Sequence, residues 1–258
     1  MESGRKDATG DNAGRNVRGP GRRLRGAVAN KLGVAILAGD YAPGDLLPGE
    51  VAAAEELEVS RGAYREAMQV LAAKGLVESR PKTGTKVLPR ERWNLLDPEV
   101  LTWAFAGEPD VRLVRSLFEL RLVIEPAAAA FAAQRRSPAQ LKQMRDALGL
   151  MRRHTLDTEE GRAADRAFHD ALLQATLNDA MITISASIGS AVSLTTLYKQ
   201  RTRKLPRDAI PDHARVLEAV ADGDADAAAA AMRELVELAL EDTNMAMAAR
   251  GAEAADSR

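Results

Sequence analysis

The sequence predicts a mainly α protein in two parts: three helices closed by a β-hairpin, then an all-α bundle. Three observations carry this prediction. Apolar residues recur at helical spacing along most of the chain, and β-type runs are confined to residues 76–88. Aromatics make up only 3% of the 258 residues, while Ala is abundant. The core must therefore be built mostly from Ala, Leu and Val, which suits packed helices better than a sheet sandwich.

In the first part, Leu24, Val28, Leu32 and Ile36 recur every fourth residue and form one helical face. Gly39 ends that helix and YAPGD makes a turn. A second short helix is expected over 49–57, with Leu57 and Val59 closing it against the next element. Ser60 is the N-cap of a third helix, and Gly75 is its stop. LVESR and TKVL then read as short strands joined by PKTG. This order is the outline of a winged helix-turn-helix over 23–88. Residues 1–22 are rich in Gly, Arg and Asp and read as a disordered basic arm. They hold no apolar stretch of the kind a secretory signal needs.

PRERWNLLD, residues 89–97, reads as a linker into an all-α domain over 98–250, with 251–258 as a disordered tail. GEPD precedes a long helix, which Pro126 is expected to kink. Ser137-Pro138-Ala139-Gln140 combines Ser at N-cap, Pro at N1 and Gln at N3. Thr158 begins a further segment that Asn178 ends. LPRDAIPD breaks the chain at 205–212, and Gly223-Asp224 separates the last two helices. About six or seven helices are expected in this domain.

The absence of cysteine excludes a disulfide scaffold, Cys-based zinc sites and Cys nucleophiles. No apolar run approaches the ~18 residues of a spanning helix, so no membrane partner is expected and a cytoplasmic location is. Net charge is −1 but uneven. Residues 1–90 hold 15 Lys and Arg against 11 Asp and Glu, and residues 91–258 hold 21 against 26. A basic front and acidic rear suit a front half that meets a polyanion.

On a helical wheel, Ala63, Ala67, Val70, Leu71 and Lys74 fall on one side of the third helix, and Arg61, Gly62, Arg65 and Gln69 on the other. The second face is what a recognition helix presents to the major groove. Arg pairs with guanine and Gln with adenine, while Gly62 allows close approach of backbone to phosphate. A solvated charged face is the plainer reading of two arginines alone. The surrounding pattern favours the first. Gly39, Pro43-Gly44, Leu47-Pro48-x-Glu50, Val59-Ser60-Arg61, Arg65-Glu66-Ala67, Leu71, Lys74-Gly75-Leu76 and Gly84 before Val87 together resemble the winged helix of the GntR superfamily. The resemblance implies operator DNA as partner, contacts by Arg61 and Arg65, and a wing tip of Lys82, Thr83 and Gly84 entering the minor groove. Members of the FadR subfamily often carry Arg where this chain has Val51.

In the second domain Val114, Leu117, Phe118, Ile124 and Ala128 define an inward stripe, with Arg121 and Glu125 on or beside it. These two are either a mutually satisfied ion pair or a carboxylate-binding group for a ligand. Asp165 and His169 are spaced to project together, and His213 shares a face with Val216, Leu217 and Val220. They are either satisfied core residues or metal ligands from different helices. His154 sits near a helix end, where it complements the dipole.

Glu119-x-Arg121-x-x-x-Glu125, Asp165-x-x-Phe168-His169, Asn178, His213 and Gly223-Asp224 resemble the FCD ligand-binding domain of the FadR subfamily. That resemblance implies a homodimer and a site for a small organic acid built from Arg121, Glu125 and Asn178. It also implies a divalent metal, zinc or nickel, on Asp165, His169 and His213. Leu235 stands where a fourth ligand is often found, so the set is incomplete. RWNLLDPEVLTWAFAG is similar to the sugar-acid regulators of this family. The expected function is a DNA-binding regulator, a repressor released by an aldonate such as galactonate. The alternatives are the same class sensing lactate, a dicarboxylate or a fatty acyl group, or a metal-dependent enzyme. No general acid or base accompanies the cluster, so no catalytic residue is assigned and an enzyme is not expected.

Overall fold

The computed structural model describes residues 20–200 and 207–256, with side chains from 26 to 200 and from 207 to 250. Most of the expected arm, residues 1–19, lies outside the described residues, as does Leu24 as a side chain. Helix α1 spans Pro20–Ala38 and so takes in residues 20–22 of the expected disordered arm. Val28, Leu32 and Ile36 are buried along it. Helices α2 (Glu50–Glu56) and α3 (Arg61–Ala73) follow. Strands β1 (Val77–Arg80) and β2 (Gly84–Val87) pair antiparallel, with Val77 opposite Val87 and Arg80 opposite Gly84. A single bridge from Leu46 to Lys86 adds backbone from before α2 to the hairpin edge.

The inward face of α3 differs from the wheel. Tyr64, Ala67, Met68 and Leu71 are its buried residues, while Ala63 and Val70 are half-buried. Tyr64 can turn inward because its hydroxyl donates to the Pro48 carbonyl at 2.7 Å, so burial leaves no polar tip unpaired. Ser60 caps the helix as expected, accepting from Ala63 N at 3.1 Å. Gly75 takes φ +73°, and a Cβ there would sit 2.1 Å from the Arg92 carbonyl oxygen. Only glycine fits that stop.

The segment 89–97 is no free tether. Trp93 is buried and donates through Nε1 to the Leu88 carbonyl at 2.8 Å. Helix α4 (Pro98–Ala104), capped by Asp97, then joins two cores. Val100 and Trp103 belong to the core of the first part; Leu101 and Phe105 belong to the core of the bundle. A Cβ on Gly33 of α1 would lie 2.3 Å from the Trp103 ring, so α1 and α4 are in direct contact there. Lys74, at the end of α3, reaches Asp97 at 2.7 Å and Glu99 at 2.8 Å, tying the third helix to the start of α4.

The bundle holds α5 (Val111–Arg135), α6 (Pro138–His154), α7 (Glu159–Gln174), α8 (Asp179–Thr183), α9 (Ser185–Gln200), α10 (Ile210–Asp222) and α11 (Ala225–Asp256). With α4 that makes eight helices among the described residues, against six or seven expected. The difference comes from α4 and α8, which are too short to show a period. Helix α5 continues through Pro126. Ser137 and Gln140 form the expected capping box. Helix α11 runs into the expected tail as far as Asp256, because its Ala-rich sequence has high helix propensity and no proline.

Candidate functional site

The exposed face of α3 carries Arg61, Gly62, Arg65 and Gln69 together, as the wheel predicts. A Cβ on Gly62 would meet nothing nearer than Ser60 Oγ at 3.9 Å, so the fold itself leaves room for a side chain there. The hairpin tip holds Lys82, Thr83 and Gly84, all exposed, with Lys82 at φ +67° and Gly84 at φ +89°. A groove of about 460 Å³ runs between α3 and the hairpin, with Arg65 and Met68 on one side and Arg80 and Thr85 on the other. Helix and wing thus flank one continuous surface. Arg65 is held on it by Glu50, at 2.8 Å. Sequence reasoning placed Glu50 only as part of a motif.

The second constellation lies inside the bundle. Glu125 and Arg121 come from α5, Asp165 and His169 from α7, and His213 from α10; all five are at most 3% exposed. Arg121 Nε meets Glu125 Oε1 at 2.5 Å, so the two form the predicted i, i+4 pair. The other Glu125 oxygen lies 2.6 Å from His169 Nδ1. His169 Nε2 faces Asp165 Oδ1 at 3.6 Å, and His213 Nε2 lies 3.0 Å from the same oxygen. His213 Nδ1 is 2.8 Å from the Ala209 carbonyl, which can only accept, so Nδ1 carries a proton there and Nε2 faces the cluster. Phe168 stands edge-on to His213, with ring centres 5.1 Å apart.

These contacts are short but poorly directed. Glu125 Oε2, Asp165 Oδ1, both nitrogens of His169 and His213 Nε2 are buried without a well-aligned hydrogen bond. Unmet polar atoms at such depth are costly. The donor atoms of Asp165, His169 and His213 lie within 4.8 Å of one another. Glu125 stands behind His169, and the Ala209 carbonyl behind His213. Partners of this kind orient histidine ligands. One carboxylate and two imidazoles suit a divalent ion with an open position, so the residues fit a metal.

Electrostatics favour the charged forms of Glu125, Asp165 and His169. Burial pushes the Glu125 carboxyl up, but Arg121 and His169 outweigh it and hold it down to about 2. Burial likewise raises Asp165, and the adjacent rings of His169 and His213 reverse this, leaving it well below the usual carboxylate range. Burial lowers His169, but Glu125 and Asp165 raise it to about 9.

Lys199 of α9 was missed from the sequence. Burial drives its ammonium down to about 8; Asp242 and Asp165 oppose the fall, and Arg121 and Arg207 add to it. It therefore feels the same charges as the cluster. Its place at a helix end, in YKQR, gave no periodic signal.

One expectation needs correction. Asn178 caps α8, accepting from Ala180 N at 3.0 Å and Met181 N at 3.3 Å. Its oxygen serves that helix start, as expected for Asn before a short helix. It does not close α7, which ends at Gln174. Leu235 is buried and, being aliphatic, offers no donor. His154 lies in the last turn of α6, as expected.

Residues 24–87 match the gntR family of bacterial regulatory proteins, and residues 116–238 match the FCD domain. The galactonate operon transcriptional repressor of Escherichia coli K12 is 35% identical over 202 residues, covering 76% of this chain and 86% of that protein. The chain belongs to the GntR family. The regulator LutR of Bacillus subtilis is 34% identical, over 75% of this chain and 89% of LutR. The structure of the regulator Lar of Listeria monocytogenes shares the fold, with a TM-score of 0.64 at 20% identity, over 86% of this chain and 97% of that one. This GntR-family chain is a DNA-binding transcriptional regulator rather than an enzyme, as are the families and relatives it matches. Among the described residues no helix is long and apolar enough to cross a membrane.

Proposed function

We propose that this regulator is a cytoplasmic homodimeric repressor released from operator DNA by a small sugar acid, an aldonate such as galactonate. Two subunits present two copies of α3 to the half-sites of a pseudo-palindrome. On each, Arg61, Arg65 and Gln69 read the major groove, Gly62 lets the backbone approach phosphate, and Lys82, Thr83 and Gly84 enter the minor groove.

The observation that carries the effector reading is the set of inward donors on α7 and α10, whose outer ring nitrogens face Glu125 and the Ala209 carbonyl. Asp165, His169 and His213 would hold a divalent metal such as zinc or nickel. When bound, the metal supplies a positive charge and open coordination positions that a carboxylate and α-hydroxyl can fill. Arg121 binds the acid's carboxylate, in competition with Glu125. A fully polar cluster suits a hydroxylated acid better than a fatty acyl chain. The relative named for the galactonate operon supports the aldonate class.

Release follows from packing. Helix α7 packs on α9, α9 on α4, and α4 on α1. Lys74 links α3 to the Asp97 cap of α4. An acid that binds one arrangement of α7 better than another shifts α4, and with it the helix that reads DNA. A thermal-shift panel of aldonates, lactate and dicarboxylates, with and without Zn²⁺, tests the reading. An aldonate should stabilise most, and more with metal; a panel in which no acid stabilises contradicts it.

A further inference from the structure

Arg65 does not stand free on α3. Its Nε lies 3.3 Å from Glu50 Oε2 and its Nη2 2.8 Å from Glu50 Oε1, so one carboxylate grips one whole edge of the guanidinium. Glu50 opens α2, which packs against α3, and the start of a helix favours an anion. The pair is open to water, with the Arg65 side chain 66% exposed and that of Glu50 33%. An ion pair so exposed adds little to folding. It also sets a negative charge on the surface that meets a polyanion, where it opposes association. Neither stability nor affinity accounts for it, and geometry does.

A guanidinium has two edges that can each form a pair of parallel hydrogen bonds. Glu50 takes the Nε–Nη2 edge and leaves the Nη1–Nη2 end. An unclamped arginine is satisfied equally by phosphate or base. A clamped one has a single end to offer, beside a carboxylate that repels phosphate oxygens and tolerates the neutral O6 and N7 of guanine. Pro48 and Met68 line the same groove as Arg65.

We propose that Glu50 is the positioning residue that makes Arg65 a guanine-reading group rather than a phosphate contact, giving specificity at the expense of overall affinity. This rests on the reading of α3 as the helix that enters the groove.

Selection of the full-length protein on a randomised duplex pool tests it. Anisotropy titrations on the enriched duplex and a scrambled one then follow, over a range of salt. Wild type should enrich a motif containing guanine. Glu50→Ala should bind the scrambled duplex several-fold tighter and lose on the order of tenfold in the ratio of specific to non-specific affinity. Its salt dependence on the scrambled duplex should steepen by about one unit, the signature of an added phosphate contact. Glu50→Gln keeps the side chain's size and should lose part of the guanine preference, which covers the case where alanine loosens α2. If Glu50→Ala tightens both duplexes by the same factor, or enriches the same motif with the same preference, the proposal is overturned. If wild type enriches no motif, the DNA-reading assignment of α3 falls and takes this proposal with it.

Discussion

His169 Nδ1 lies 2.6 Å from Glu125 Oε2, within a five-residue polar cluster buried inside a helical bundle. Glu125 joins two functions through that contact. Its other oxygen neutralises Arg121, and the same carboxylate orients the ring that faces Asp165. Removing it leaves Arg121 buried without its counter-charge. Glu125→Ala should therefore cost about 3–5 kcal/mol of stability, measured by urea unfolding. A loss below about 1 kcal/mol would mean that the pair is solvated in solution.

The pH dependence of the metal-free protein has a defined sign. The folded His169 value is raised from 6.5 to about 9. Its contribution to stability is therefore complete below pH 6.5 and is lost as pH rises through about 9. Glu125 is lowered from 4.5 to about 2, so its contribution is present above pH 4.5 and is lost as pH falls through about 2. Urea midpoints in EDTA should decline between neutral pH and pH 9. With Zn²⁺ the trend should weaken or reverse, because metal binding requires the neutral ring and strengthens as protons leave.

Leu235 is buried, and the resemblance to the FCD domain implies a further ligand at its position. Leu235→His should raise zinc affinity at least tenfold, read by competition with a chromophoric chelator. An unchanged affinity would show that this position does not face the three donors. His213→Ala should lower zinc affinity by a similar factor or more.

Gly33 is set by Trp103 rather than by backbone conformation. A methyl group at 2.3 Å from the ring must displace α4 from α1. Gly33→Ala should lower stability by about 1–3 kcal/mol, seen as a lower thermal midpoint. Because α4 has residues in both cores, it should also weaken the coupling between effector and DNA.

Arg65→Ala should abolish specific duplex binding while leaving the thermal midpoint nearly unchanged, since its ion pair is exposed. Retained sequence preference would remove Arg65 from the reading surface.

Much of this was legible in the chain itself. The Ser60 cap, the Gly75 stop, the Ser137–Gln140 box and the spacing of Asp165 and His169 are local signals, fixed by a few neighbouring residues. What escaped detection depends on tertiary partners. Tyr64 points inward because the Pro48 carbonyl receives its hydroxyl. Glu50 matters because α2 places it beside Arg65, and Lys199 because α9 brings it near Asp165 and Arg121. Asn178 shows the converse: a residue shared with a family motif whose oxygen is spent on a local cap.

In the proposed function, a sugar acid bound in the helical domain releases DNA. The most direct test is the anisotropy of a labelled, selected duplex bound to zinc-loaded protein and titrated with galactonate and related aldonates. At least one aldonate should return the signal to that of free duplex for wild type, while His213→Ala should still bind the duplex but not release it. Duplex that stays bound at every aldonate concentration, or is released equally from His213→Ala, would contradict it.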